Sequence, residues 1–241
     1  EQLIWADLDG RKYVALGTNK VLVIYFEGAF YDIKPLDDPI TGATFTTVNN
    51  DATVTVNKIG HGLTEGDLFT FTSVTPPTGA GYTDADFTTN TFQVVTATVD
   101  TFTITMASTA GTTVAASGSA VINPYVEVGP LNQTAGYGWG TSSWGAETWG
   151  TERSTSSVIL DPGNWSLDNF GQVLVATIFN GKTFTWNAGA SGARGIRASQ
   201  STSGFVTTGN PTASRFTLVS DRDRHLFHFG TETTIGDPTT Q

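Results

Sequence analysis

Few side chains in this 241-residue chain can do proton or metal chemistry: there are three histidines and no cysteine. Without cysteine there is no thiol nucleophile, no disulfide and no thiolate ligand for zinc. Ligand types gather in "DRDRHLFH", where a regular strand would put Asp221, Asp223 and His225 on one face as a metal trio. The same stretch reads as a hairpin turn, where alternation fails and Asp is common anyway, so a turn is the expectation. His61, in "GHGL", reads as a fixed turn contact rather than a base. "DLDGR", Asp7 to Arg11, starts like a calcium loop but lacks the third acidic position and the closing bidentate Glu, and a turn is expected there too. "GTNK" and "GASGARG" lack the Gly-Lys-Ser/Thr ending of a phosphate loop, and no serine sits in a Gly-x-Ser-x-Gly elbow. The glycosylation triplets at Asn132 and Asn164 matter only in a eukaryotic secretory setting. No catalytic residue, cofactor or metal is assigned.

What stands out instead is aromatic. In "GYGWGTSSWGAETWG", residues 136 to 150, Trp139, Trp144 and Trp149 are five residues apart and each is followed by glycine. Five residues fit the helical period poorly, and an odd spacing sends successive rings to opposite faces of a strand. A loop that turns repeatedly and plants a ring at each turn is the simplest reading. The rings are weighed first as packing within the chain, then as contacts between subunits, then as a sugar platform. The sugar reading is weakened because Glu147 is the only charged residue between Tyr137 and Trp149. Three exposed tryptophans would make an apolar patch in need of a partner, so the rings are expected to be pegs for assembly.

The elements that must carry these residues are strands. Acidic residues number 22 against 12 basic, a formal charge of −10, and the basic residues are scattered, which argues against a phosphate-gripping surface. No apolar run approaches the roughly 20 residues needed to span a bilayer. Starting at Glu1 with no signal-peptide pattern, the sequence reads as a processed chain or a portion of a longer one.

Three stretches read as one hairpin unit with an aromatic return strand: 13–33 around "GTNK", 173–188 around "NG", and 215–230 around "SDRD". Their return strands hold Tyr25, Phe30 and Tyr31, then Phe184 and Trp186, then Phe227 and Phe229. The second and third turns are about 42 residues apart, within the period of propeller blades. "NG" predicts a type I′ turn. Residues 41–124 differ in texture and read as an inserted antiparallel barrel or sandwich, with Leu68, Thr70 and Thr72 opposite Phe69 and Phe71. No helix is required anywhere.

"IGHGLTEGDLFTF" followed by "FQVVTATVDTFTIT" resembles the FCCH-type β-module named from ubiquitin-activating enzymes and found in many phage structural proteins. "KYVALGTNKVLVIYFEGAFYDIKPL", "GYGWGTSSWGAETWGT" and "DPGNWSLDNFGQVLVATIFNGKTFTWNAG" resemble structural proteins of tailed-phage virions from the tail hub, nozzle or head–tail junction. The resemblance implies propeller-like domains around a genome channel and assembly in rings. Three hairpins are fewer than the four blades of the smallest closed propeller, so a blade is degenerate or lies beyond Gln241.

The expected fold is therefore all-β: propeller-like hairpin blades over 1–40 and 125–241, interrupted by a small antiparallel barrel over 41–124. The expected role is non-enzymatic, as part of a virion ring with copies of itself and other tail or connector proteins as partners. DNA would pass without specific nucleic-acid binding, repelled by an acidic lumen. No membrane segment is expected. The alternatives are a carbohydrate-binding adhesion module of a tail fibre or bacterial surface protein, and an accessory portion of an extracellular hydrolase.

Overall fold

The computed structural model of the chain describes residues 1–19, 21–126, 128, 163–187, 196–197, 209–220, 222–237 and 240. The fold is all-β, with one short helix among the described residues, and it divides into two compact units: Glu1–Lys34 with Glu127–Gln241, and Pro35–Val126. No helix among the described residues is long and apolar enough to cross a membrane.

The chain opens with a four-stranded antiparallel meander of β1 (Gln2–Ala6), β2 (Lys12–Gly17), β3 (Leu22–Phe26) and β4 (Ala29–Asp32). "DLDGR" is its first turn. The Asp7 carboxylate accepts the Asp9 and Arg11 amides at 3.0 and 2.8 Å and the Tyr13 hydroxyl at 3.1 Å, so its oxygens serve the turn. One face of the sheet is buried through Trp5, Tyr13, Ala15, Leu22 and Ile24.

The second unit is one curled sheet. Its strands are β5 (Ile40–Thr47), β6 (Thr53–Asn57), β7 (Leu68–Thr75), β8 (Thr91–Gln93), β9 (Thr96–Ala97), β10 (Thr101–Thr105) and β11 (Val114–Pro124), in the order β8-β7-β11-β5-β6-β10-β9. Alternation places Phe69 and Phe71 inward, where they join Phe45, Phe87, Phe92 and Phe102 in edge-on and tilted ring contacts. The curl coincides with bulges in β11, where the register to β5 shifts around Ala116 (φ 38°) and Gly118 (φ 74°). Entry and exit strands are zipped together: Asp37 donates to the Pro124 carbonyl at 2.8 Å and Val126 to the Pro35 carbonyl at 3.0 Å.

The "HGL…GD" residues make two linked turns. His61 is buried and its Nδ1 accepts the Leu63 amide at 3.0 Å, which puts the ring proton on Nε2; the ring packs edge-on against Phe102, 5.0 Å away. Asp67 accepts the Thr64 amide at 2.7 Å and its hydroxyl at 3.2 Å.

The absence of helix expected from the sequence is corrected by α1 (Asp84–Thr88). This single turn forms because Asp86 accepts the Thr83 amide and hydroxyl at 2.7 and 2.8 Å, and because Phe87 on it is fully buried in the aromatic core.

The first unit resumes with β12 (Trp165–Phe170), β13 (Val173–Ile178), β14 (Thr183–Trp186) and β15 (Ile196–Arg197), a second four-stranded antiparallel meander. The "NG" turn between β13 and β14 is not type I′. Asn180 has φ 60°, but Gly181 stays outside the left-handed region: its amide closes the turn on the Ile178 carbonyl at 2.9 Å and also reaches the Ser214 carbonyl at 3.3 Å, while its own carbonyl accepts the Ser214 amide at 3.0 Å. The two meanders pack face to face, each sending a tryptophan into the other. Trp165 Nε1 donates to the Thr18 carbonyl at 2.8 Å, Trp5 Nε1 donates to the Gln172 carbonyl at 3.1 Å, and Trp5 and Tyr13 meet Trp186 edge-on. Last come β16 (Phe216–Val219) and β17 (Leu226–Phe229), an antiparallel pair.

A Cβ on Gly118 would overlap the Thr75 carbonyl oxygen, at a φ that side chains avoid. Gly118→Ala is expected to destabilise the curled sheet by at least about 2 kcal/mol. A lowered urea midpoint followed by tryptophan-independent far-UV circular dichroism checks this; an unchanged midpoint refutes it.

Candidate assembly surface

The β16–β17 hairpin is inside out. Its register pairs Phe216 with Phe229, Thr217 with His228, Leu218 with Phe227, and Val219 with Leu226. Alternation therefore gathers Phe216, Leu218, Phe227 and Phe229 on one face and Thr217, Val219, Leu226 and His228 on the other. It is the polar-bearing face that turns inward, with Thr217 and Val219 buried.

The reason lies in the sheet beneath. The face of the β12–β15 meander that meets the hairpin carries Ser166, Asp168, Thr177 and Thr183. Thr177 Oγ1 is 2.9 Å from both Thr183 Oγ1 and Thr217 Oγ1. Ser166 Oγ donates to the Thr217 carbonyl and accepts its amide, both at 3.2 Å, while Asp168 accepts the Val219 amide at 2.7 Å. Thr177, Thr183 and Thr217 are buried and Ser166 and Asp168 half-buried, so the buried hydroxyls must find their partners within the seam.

A carboxylate clasp closes the base of the hairpin. Glu232, itself buried, accepts the amides of Thr212 at 2.6 Å, Ala213 at 3.1 Å and Gly236 at 2.9 Å, and the Thr212 hydroxyl at 3.0 Å. Burial raises its pKa, but the backbone donors outweigh it and hold the carboxyl at about 2. Ser214 Oγ lies 3.0 Å from His228 Nδ1, and burial lowers the imidazole's pKa against the pull of Glu232. Ser214, His228 and Glu232 have the residue types of a hydrolase triad, but Ser214 is completely buried and Glu232 is committed to the backbone. No acyl group can approach that oxygen, and the set acts as a structural tie.

The outward face is the reverse. Phe216 and Phe229 stack at 4.6 Å and 12°, with Phe227 a further 6.4 Å along. Phe216 is 51%, Leu218 51%, Phe227 48% and Phe229 39% exposed. The outer face of the β1–β4 meander at the other end of the unit is apolar too. Ile4, Val14, Tyr25 and Phe30 are register partners in one row across all four strands, and Ile4 is 63%, Tyr25 40% and Phe30 65% exposed.

Of the residues singled out from the sequence, Trp139, Trp144 and Trp149 lie outside the described residues, as does Asp221 of the metal trio. Among the described residues no three His, Cys, Asp or Glu side chains gather as a metal site. The return-strand aromatics separate: Phe184 and Trp186 are core, while Tyr25, Phe30, Tyr31, Phe227 and Phe229 are exposed. Phe216 and Leu218 went unremarked, although "FTLV" opposite "LFHF" shows the alternation that aligns them.

No protein-family model matches the chain, and no curated protein matches it in sequence. Among solved structures it is similar to the phage phi92 endosialidase, with 16% identity and a TM-score of 0.30 over 91% of this chain and 32% of that one. The chain thus spans about a third of that protein's length, and a likeness so remote decides nothing about activity.

The clasp has a pH signature. The folded Glu232 pKa of about 2 lies below its ordinary 4.5, so its contribution is complete above pH about 4.5 and is lost as pH falls toward 2. Glu232→Gln, whose single carbonyl oxygen cannot accept four donors, is expected to lower the thermal midpoint at pH 7. The gap between wild type and variant should close as pH approaches 2. A gap independent of pH refutes the clasp.

Proposed function

We propose that this chain is a non-enzymatic structural component of a tailed-phage virion, a segment of a tail hub, nozzle or connector ring through which DNA passes. The observation that carries the reading is the series of sheets in the first unit. Two four-stranded meanders and a hairpin pack face to face in succession, as propeller blades do, and both terminal faces are apolar and exposed. Such a series is incomplete alone, because solvated aromatic faces of this kind call for a partner. The resemblance of residues 12–36, 136–151 and 161–189 to virion proteins supports the same reading, and residues 41–124, within the Pro35–Val126 unit, are taken as its FCCH-type module.

The outward hairpin face also weighs against the adhesion alternative. Sugars need several polar side chains beside a stacking ring, whereas Phe216, Leu218, Phe227 and Phe229 are apolar, His225 lies beside Phe227 with ring centroids 6.3 Å apart, and His228 points the other way. The formal charge of −10 gives duplex DNA little to hold, which suits a passage.

Negative-stain imaging of the purified full-length protein is expected to show closed rings with an axial opening. Filter binding is expected to show no retained duplex DNA even at 50 mM salt. Monomeric particles that bind an immobilised glycan would overturn the proposal.

A further inference from the structure

We infer that the hairpin face of one copy, Phe216, Leu218, Phe227 and Phe229, packs on the outer face of the β1–β4 sheet of the next copy, centred on Ile4, Tyr25 and Phe30. The inference rests on the ring reading above and names the surfaces that would build the ring.

Three observations converge on a second copy as the occupant. The first is continuity. Within one chain the order is β1–β4 sheet, β12–β15 sheet, hairpin, each packed face to face on the one before. Setting the hairpin of one copy on the β1–β4 sheet of the next repeats that step. The second is size. At about 200 Å² per large side chain, the exposed fractions leave roughly 350 Å² of apolar surface on each face. That is within the range in which patches mark interaction sites. It also furnishes the apolar centre of an interface of about 800 Å² per partner once its rim is included. The third is chemistry: both are antiparallel faces with aromatic rings in cross-strand pairs, so rings can meet at offset or edge-on geometry.

The two faces are different surfaces of the same chain, so the contact is head to tail. Each copy keeps one unused face until the series closes, and a closed rotation gives a ring rather than a symmetric pair.

The test uses the full chain with one carboxylate on either face: Phe216→Asp on the hairpin and Phe30→Asp on the sheet. Both positions are solvent-facing, so each variant should keep its far-UV spectrum and unfold cooperatively, with a thermal midpoint lowered only by the loss of association. Leu218→Asp and Tyr25→Asp repeat the test should either first variant misfold. Each variant alone is expected to be monomeric by sedimentation velocity, its dissociation constant raised at least about a hundredfold by an unpaired carboxylate at the contact. Mixed one to one, the Phe216→Asp copy still offers its sheet face and the Phe30→Asp copy its hairpin face, and the mixture should stop at a two-copy complex. If wild type forms rings that both variants leave intact, this pairing is wrong while the ring reading stands. If only one variant dissociates the rings, or the mixture stays monomeric, the head-to-tail contact is wrong. If wild type itself is monomeric at tens of micromolar, the ring reading falls with it.

Discussion

The contact on which the first unit depends is Trp165 against Gly17. A Cβ at Gly17 would lie 2.7 Å from Trp165 Cδ1, so only glycine lets the indole lie flat on the end of β2. From there Trp165 Nε1 reaches the Thr18 carbonyl. Residues 147 positions apart are thereby fixed, and with them the spacing of the two meanders. Trp5 makes the converse bond to Gln172 from the other sheet. Two indoles crossing in opposite directions hold register as well as distance, because each N–H has a specific carbonyl to find and would otherwise be buried unpaired. The hairpin can be added only because the second meander is anchored in this way, with its hydroxyl-bearing face turned from the first.

Much of this was legible in the sequence, and what was not has identifiable causes. Turn residues located the hairpins, since "GTNK", "NG" and "SDRD" each sit between runs of β-formers, and strands lie on both sides of each. Alternation around Phe69 and Phe71 separated the two faces of β7, with Leu68, Thr70 and Thr72 opposite the rings, and the rings are the buried side. The turn at Asn180 departs from type I′ because it closes one residue early, Gly181 donating to the Ile178 carbonyl, while the Gly181 carbonyl is held by Ser214, a partner 33 residues away that no local window contains. The one-turn helix α1 is too short for a periodic stripe, and its signal, Thr83 with Asp86 three residues on, is common in any Thr- and Asp-rich stretch. The candidate surface was half visible: the aromatics of the return strands were noted, but not which of them would stay in water. Alternation in "FTLV" and "LFHF" defines two faces without saying which is inside.

The choice between those faces is a matter of magnitudes. Turning the hairpin over would bury Phe216, Leu218, Phe227 and Phe229, each worth about 1.5–3 kcal/mol if fully removed from water. But they would land on Ser166, Asp168, Thr177 and Thr183, and every seam hydrogen bond to Thr217 and Val219 would go. A buried hydroxyl or amide left unpaired costs about 1–3 kcal/mol, and the half-buried Asp168 carboxylate would lose its amide partner as well. The two totals are comparable, so apolar burial within one chain does not by itself select the observed orientation. The polar seam does, because its partners are specific while apolar contact is not. The observed orientation leaves the rings outward with their burial energy unspent within the fold. That energy is recovered only by covering the face, which is why we propose this face, and not the polar seam, as the contact with a second copy.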